Sequence, residues 1–135
     1  HRRMASVELE VEVAADAGAL ETDPGVVQQI LTNLVINAIQ AQGGAGRVLL
    51  QATKADDGTV RFRVQDGGPG VPPDVIPHLF TPFFTTKPAG EGTGLGLYGS
   101  RALALKLGGW LSYVPLDEPG ACFELTLPGA TPDAP

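Results

Sequence analysis

Apolar and polar residues alternate at the start of the chain and then change to a helical spacing. From residue 7 to residue 13, valine or leucine at every odd position alternates with glutamate at every even position. This alternation is typical of a strand with one buried and one wet face. Apolar residues then recur at three- and four-residue spacing over residues 26–41, which predicts an amphipathic helix. Asp23-Pro24 predicts its start, because aspartate caps free N–H groups and proline suits the first turn; Gly43-Gly44 predicts its end.

The rest of the chain predicts further strands and a second long helix. We expect two strands joined by a turn, a short helical turn, a helix and a closing pair of strands, at residues 47–53, 59–65, 74–78, 95–107, 110–114 and 121–127. This order fits a mixed, largely antiparallel sheet with helices on one face, an α/β two-layer sandwich of the α+β kind. We expect a single domain over residues 1–135, with frayed ends at residues 1–5 and 129–135.

The composition marks one segment as unusual and excludes several classes of protein. The chain has 18 glycines and 12 prolines, against roughly 9 and 7 in an average chain of 135 residues. Eight of those glycines and six of those prolines fall within residues 67–99. The net charge of −6 argues against nucleic-acid binding, which needs a basic face. Cys122 is the single cysteine, so an internal disulfide is excluded.

Two asparagines on the first long helix are candidate ligands. Asn33 and Asn37 are four residues apart, so their amides project from one face of the helix. An amide oxygen is a hard, neutral ligand that suits Mg²⁺ when phosphates and water complete the shell. Two polar residues on an exposed helix face are an equally good interpretation of this pair alone.

A glycine-rich segment follows the predicted strand 59–65. In the run Asp66-Gly67-Gly68-Pro69-Gly70, the glycines allow a sharp turn and a close approach of the backbone to a ligand. The carboxylate of Asp66 is suited to accept a hydrogen bond from an exocyclic amine such as that of adenine. An ordinary turn explains the same residues when they are taken alone.

Two further clusters border the second helix. Residues 79–87 hold three of the eight aromatic residues, which predicts either an anchored loop or a small satellite core. The run Gly92-Thr93-Gly94-Leu95-Gly96-Leu97 opens the helix, where free N–H groups and the helix dipole favour phosphate. Gly94, Gly96 and Gly99 also match a dinucleotide-binding fingerprint, but that motif requires a preceding strand, and residues 86–91 do not fit one.

Taken in order, the four clusters resemble the N box, first glycine box, F box and second glycine box of bacterial sensor histidine kinases. These kinases belong to the GHKL superfamily, together with gyrase, heat-shock chaperone ATPases and mismatch-repair ATPases. The resemblance covers about residues 5–128. The short loop 88–91 and the run at residues 83–87 are most similar to the nitrogen-regulation and oxygen-sensing class with a short ATP lid. The implied fold is a Bergerat-type mixed sheet of about five strands with three helices on one face.

The resemblance implies a role for each matching residue. Asn37 would coordinate Mg²⁺ on the ATP phosphates, Asp66 would bind the adenine amino group, and Gly68 and Gly70 would shape the adenine pocket. Asn33 and Asn37 are the implied catalytic residues. The remaining implied contacts to ATP are Asn33, Phe84, Thr85, Thr86, Lys87, Gly92, Thr93, Gly94, Leu95, Gly96 and Leu97.

The position of Asn33 separates branches of the superfamily. Hydrolysing members usually carry glutamate four residues before the metal-binding asparagine, and that carboxylate serves as a general base. Asparagine cannot act as a base, whereas a neutral imidazole acceptor is nucleophilic at pH 7 without one. Asn33 therefore favours transfer of phosphate to histidine over hydrolysis.

The resemblance also implies partners and leaves two alternatives open. It implies an ATP- and Mg²⁺-dependent kinase domain that phosphorylates a histidine on a separate dimerisation domain, with a response-regulator receiver domain downstream. The fragment would be a monomer, the parent kinase a cytoplasmic or membrane-anchored homodimer. Gly67, Tyr98 and Gly99 depart from the family pattern, which leaves open a non-catalytic nucleotide-sensing module. The second alternative is an ATPase of the gyrase or chaperone type.

Overall fold

Five strands form one mixed sheet in the described part of the chain. The computed structural model describes residues 7–13, 22–44, 46–82 and 96–129. The strands are β1 (Val7–Val13), β2 (Gly46–Lys54), β3 (Val60–Asp66), β4 (Trp110–Val114) and β5 (Cys122–Leu127). Their order across the sheet is β1-β2-β3-β5-β4, with β1 parallel to β2 and every other pair antiparallel. The predicted mixed, largely antiparallel sheet is confirmed.

Two α-helices and one short helical turn accompany the sheet in these ranges. Helix α1 (Pro24–Ala41) begins where the sequence predicts, because Asp23 Oδ1 accepts a hydrogen bond from Gly25 N at 2.9 Å. Helix α2 (Gly96–Lys106) is followed by Gly108, whose φ of +79° turns the chain out of the helix. The turn predicted near residues 74–78 is a single 3-10 turn, Ile76–His78. The predicted frayed ends fall outside the described residues, apart from Gly129.

One face of the sheet carries the hydrophobic core. The helices contact that face, α1 against β2 and β3 and α2 against β4 and β5. Side chains that are at most 2% exposed include Ile30 and Leu34 from α1, Val48 and Val64 from β2 and β3, and Leu111, Leu125 and Leu127 from β4 and β5. The opposite face carries charged side chains, such as Arg63 and Glu124, whose Nε and Oε2 lie 2.6 Å apart.

Candidate functional site

Asp66 stands at the end of β3 with its carboxylate fixed by backbone groups. The residue is only 6% exposed. Its Oδ1 accepts hydrogen bonds from the N–H of Gly68 at 2.8 Å and from the N–H of Ala121 at 3.2 Å. Its own N–H donates to the carbonyl of Ala121 at 2.9 Å. A carboxylate has two acceptor oxygens, so this arrangement orients the group while Oδ2 remains suited to accept from a ligand amine.

Glycines surround Asp66 because main-chain segments approach each other closely there. Gly120 has a φ of +128°, and a Cβ at this position would overlap the carbonyl oxygen of Asp66. Gly70 has a φ of +82°, and its Cβ would lie 3.0 Å from the carbonyl oxygen of Gly120. A Cβ on Gly68 would lie 3.2 Å from Asp66 Oδ1 and 3.4 Å from the carbonyl oxygen of Ala41. The structure thus brings the predicted Asp66, Gly68 and Gly70 together.

We call this group the carboxylate end of the site: Asp66, Gly68, Gly70, Gly120 and Ala121. The sequence predicts the first three of these residues as site residues but predicts no role for Gly120 or Ala121. Ala121 lies 55 positions from Asp66 in sequence and acts through its backbone. An alanine carries no side-chain chemistry that a sequence pattern could show, so the sequence offered no signal for it.

Gln42 joins the carboxylate end to helix α1, a role that no sequence pattern predicts. Its Oε1 accepts from the N–H of Gly67 at 3.3 Å and from the N–H of Arg47 at 3.2 Å. Its Nε2 donates to the carbonyls of Ala38 at 3.1 Å and Arg47 at 2.8 Å. One amide therefore connects the end of α1, the start of β2 and the glycine segment after β3. A glutamine before Gly43-Gly44 is an ordinary helix-end residue in a sequence.

Asn33 and Asn37 both face helix α2. Asn33 Nδ2 donates to Oγ of Ser100 at 3.3 Å, and Ser100 is fully buried. A Cβ added to Gly96 would lie 3.9 Å from Asn37 Nδ2. Four residues forward along α1, from Asn33 to Asn37, correspond to four residues back along α2, from Ser100 to Gly96. The two helices therefore run antiparallel here. We call Asn33, Asn37, Gly96 and Ser100 the amide end of the site.

Helix α1 connects the two ends. Asn37 lies beside Gly96, and Ala41, one turn further along α1, lies beside Gly68. Four residues of α-helix rise by about 6 Å. The two ends are therefore held about one helical turn apart by a single rigid element.

The other predicted site residues divide into two groups. Leu97 is half-buried and packs against the hydrophobic core from the first turn of α2. The remaining eight lie outside the described residues, and their contacts to ATP stay a prediction: Phe84, Thr85, Thr86, Lys87, Gly92, Thr93, Gly94 and Leu95.

The donor chemistry of the amide end fits a cation that brings ligands of its own. Within the described ranges, no three His, Cys, Asp or Glu side chains converge on a possible metal position. Asn37 offers one neutral amide oxygen. Mg²⁺ in nucleotide sites is commonly held by one or two protein oxygens together with substrate phosphates and water, so the residue fits this role.

A family comparison decides the identity of the domain. Residues 22–131 match the family described as histidine kinase-, DNA gyrase B- and HSP90-like ATPases. The chain belongs to this family. None of the helices in the described ranges has the length and apolar character needed to span a membrane.

Curated relatives of this ATPase domain are sensor kinases. The sensor histidine kinase ZraS of Escherichia coli O157:H7 is 40% identical over 109 residues, which is 81% of this chain and 23% of ZraS. The sensor protein kinase PilS of Pseudomonas aeruginosa is 41% identical over 116 residues, 82% of this chain and 22% of PilS. The domain thus spans less than a quarter of these relatives.

Solved structures agree with the fold. The catalytic domain of the histidine kinase ThkA superimposes with a TM-score of 0.79 at 31% identity, covering 91% of this chain and 79% of that one. Full-length ShkA, solved in complex with AMPPNP, gives a TM-score of 0.76 at 36% identity over 95% of this chain and 27% of its own. The expected histidine kinase-type fold is confirmed.

Proposed function

We propose that this domain is the catalytic, ATP-binding part of a two-component sensor histidine kinase. It binds Mg-ATP and transfers the γ-phosphate to a histidine on a separate dimerisation domain. The observation that carries the proposal is the pairing of Asp66 and Asn37 on two ends of one site, about one turn of α1 apart. Membership in the histidine kinase-like ATPase family supports it.

The carboxylate end is the proposed adenine site. Asp66 is buried and oriented by two backbone N–H groups, so its carboxylate is fixed before a ligand arrives. The exocyclic amine of adenine is a donor that matches the remaining acceptor capacity of this carboxylate. Gly68 and Gly70 let the main chain pass close to Asp66 and Gly120, and we propose that this close approach shapes the wall of the adenine pocket.

The amide end is the proposed phosphate site. Asn37 would hold Mg²⁺, and Gly96 at the start of α2 leaves the phosphates room beside that amide. Bound Mg²⁺ would neutralise charge on the phosphates as the γ-phosphate departs. We propose further phosphate and lid contacts from the predicted residues between 84 and 95, with a lid of the short nitrogen-regulation and oxygen-sensing type.

Transfer to histidine needs positioning more than proton removal. A neutral imidazole nitrogen attacks without a base, and phosphoryl transfer depends mainly on alignment and charge stabilisation. Asn33 has no basic group, and its amide donates to Ser100 between the two helices. We propose that Asn33 assists catalysis by holding α2 against α1.

The three departures from the family pattern do not favour a second function. Gly67 keeps its N–H bonded to Gln42 at 3.3 Å. Tyr98 is 42% exposed, and a Cβ on Gly99 would meet nothing within 4 Å. None of these residues makes a described contact that closes the site, so we retain the catalytic function over a purely nucleotide-sensing module or a hydrolytic ATPase.

The organisation of the parent kinase is proposed by analogy with the related sensor kinases. We propose that residues 1–135 form one domain, monomeric in isolation, of a homodimeric kinase that passes its phosphate to a receiver domain of a response regulator. The catalytic domain would act in the cytoplasm.

Two measurements test this function. Calorimetric titration of the chain with ATP should give binding that tightens when Mg²⁺ is added, and no binding in either condition would refute the proposal. Mixing the chain with a phosphoacceptor domain from a related sensor kinase and labelled ATP should give phosphohistidine. Binding without transfer would favour the nucleotide-sensing module, and repeated turnover by the isolated chain would favour an ATPase.

A further inference from the structure

Arg101 on helix α2 lies between two aromatic rings. Its guanidinium carbon is 3.7 Å from the ring centre of Phe80 and 4.1 Å from the ring centre of Trp110. Phe80 belongs to the segment before α2, whereas Trp110 opens the edge strand β4. A cation between two ring faces is attracted to both, and the attraction grows as the group is removed from water.

The guanidinium is also bound to the backbone. Nε and Nη2 of Arg101 both donate to the carbonyl oxygen of Leu111, at 3.0 and 2.8 Å. Burial lowers the pKa of this group, although an arginine stays charged in proteins. In the described part of the chain no carboxylate forms an ion pair with it. Two rings and one carbonyl compensate the charge, so the side chain is held in one geometry.

These contacts attach α2 to Phe80 and to the edge strand β4, on a different side of the helix from its contact with α1. Ser100, the preceding residue, receives the hydrogen bond from Asn33 on α1. Phe80 in turn packs edge-on against Phe123 of β5, with ring centres 6.2 Å apart. Neighbouring residues on α2 therefore attach the helix to α1 and to the sheet edge. The first turn of the same helix contains Gly96, which lies beside Asn37.

We propose that Arg101 is a positioning residue for the amide end of the site. It holds the start of α2 at the distance from Asn37 that Mg-ATP phosphates require. This inference rests on the proposed function. The carboxylate end does not depend on Arg101, because Asp66 is held by the backbone of Gly68 and Ala121.

The geometry explains why arginine is needed. A planar guanidinium stacks on two rings while donating two N–H groups to one oxygen. A lysine carries a compact ammonium on a flexible stem and cannot do both at once. Lysine should therefore fail to replace Arg101, although it keeps the positive charge.

The test compares two ligands in three variants: Arg101→Ala, Arg101→Lys and, as the matched loss of one positive charge, Arg61→Ala on β3. Affinities for Mg-ATP come from calorimetry, and those for adenosine from NMR titration, after circular dichroism and thermal melts confirm folding. We expect both Arg101 variants to weaken Mg-ATP binding about tenfold, because a displaced start of α2 loses part of its contacts to the phosphates, and we expect adenosine affinity to be unchanged. Arg61→Ala should match the wild type. Equal weakening of both ligands, unchanged Mg-ATP affinity, or rescue by lysine would overturn the proposal.

A second measurement needs no variant. Trp110 is the only tryptophan in the chain, so its fluorescence reports on the ring that contacts Arg101. We expect Mg-ATP to change this emission, because its phosphates bring negative charge to the start of the helix that carries Arg101, and we expect adenosine, which has no phosphate, to leave it unchanged. The same response to both ligands, or to neither while Mg-ATP binds, would contradict the inference. If the wild type binds neither ligand, the proposed function fails rather than the role of Arg101 alone.

Discussion

The two ends of the site differ in what holds them. At the carboxylate end, Asp66 is fixed by backbone N–H groups, and glycines let three main-chain segments touch. At the amide end, single side chains hold the helices, Asn33 to Ser100 and Arg101 to Leu111. Because the carboxylate end is built from backbone contacts, added atoms should destabilise its fold, whereas a change of side-chain chemistry should leave its fold intact. Because the amide end is built from side-chain contacts, the loss of one side-chain group should change its geometry.

Among the proposed variants, Gly120→Ala should have the largest effect, and it tests whether the carboxylate end has room for added atoms. The new Cβ would overlap the carbonyl of Asp66, and the φ of +128° is strained for any other residue. We expect unfolding free energy to fall by about 3 kcal/mol or more, with loss of ATP binding. Gly58→Ala is the matched control, since Gly58 has a φ of +91° and open space around its Cβ. Equal losses in both variants in denaturant titrations would show that overlap at the carboxylate end is unimportant.

Asp66→Asn separates the chemistry of this end from its architecture. The amide oxygen of asparagine can still accept from Gly68 and Ala121, so the melting temperature should change little. Its NH₂ cannot accept from adenine, and loss of a hydrogen bond to a charged group should weaken ATP about 10- to 100-fold. Calorimetry and thermal melts measure the two effects. Full ATP affinity in the variant would reject Asp66 as the adenine partner.

The buried thiol of Cys122, beside the carboxylate end, should make the free energy of unfolding depend on pH. Burial raises the pKa of Cys122, the neighbour of Ala121, to about 11. The unfolded thiol titrates near 8.5, so the unfolded state loses its proton first as the pH rises. Stability should be unaffected below about pH 8 and should then fall by up to about 1.4 kcal/mol per pH unit until about pH 11. Denaturant titrations should show a smaller fall in Cys122→Ala, and an identical slope would contradict the buried thiol.

Gly99→Ala gives the smallest effect and tests the open side of α2. Its Cβ would meet nothing within 4 Å, and alanine is better than glycine within a helix by about 0.5–1 kcal/mol. We expect a melting temperature a few degrees higher with unchanged ATP affinity. A lower melting temperature would mean that this position packs against something.

The sequence predicts the elements better than the contacts between them. Alternation predicts strand β1, and Asp23-Pro24 predicts the start of α1, because both signals are local. The buried face that the alternation predicts for β1 is wrong, since Leu9 is 51% and Val11 is 55% exposed. The strand-to-glycine transition likewise placed Asp66 at the end of β3.

The missed residues act across long sequence separations. Ser100 is 67 positions from Asn33, and Arg101 meets Phe80 and Trp110 only after α2 has packed against the sheet edge. Gln42 acts through an amide at an ordinary helix end. No spacing rule within one element reveals such partners, since tertiary packing alone brings them together.

Titration of ATP into Asn37→Ala and wild type, each with and without Mg²⁺, tests the central claim that the two ends divide adenine from phosphate binding. In the presence of Mg²⁺, we predict that Asn37→Ala binds ATP about tenfold or more weakly than the wild type. The variant thereby loses most of the affinity that Mg²⁺ adds in the wild type. Without Mg²⁺ the two proteins should bind ATP alike, because Asp66 is untouched. Equal loss of affinity with and without Mg²⁺, or an unchanged gain from Mg²⁺, would contradict the account.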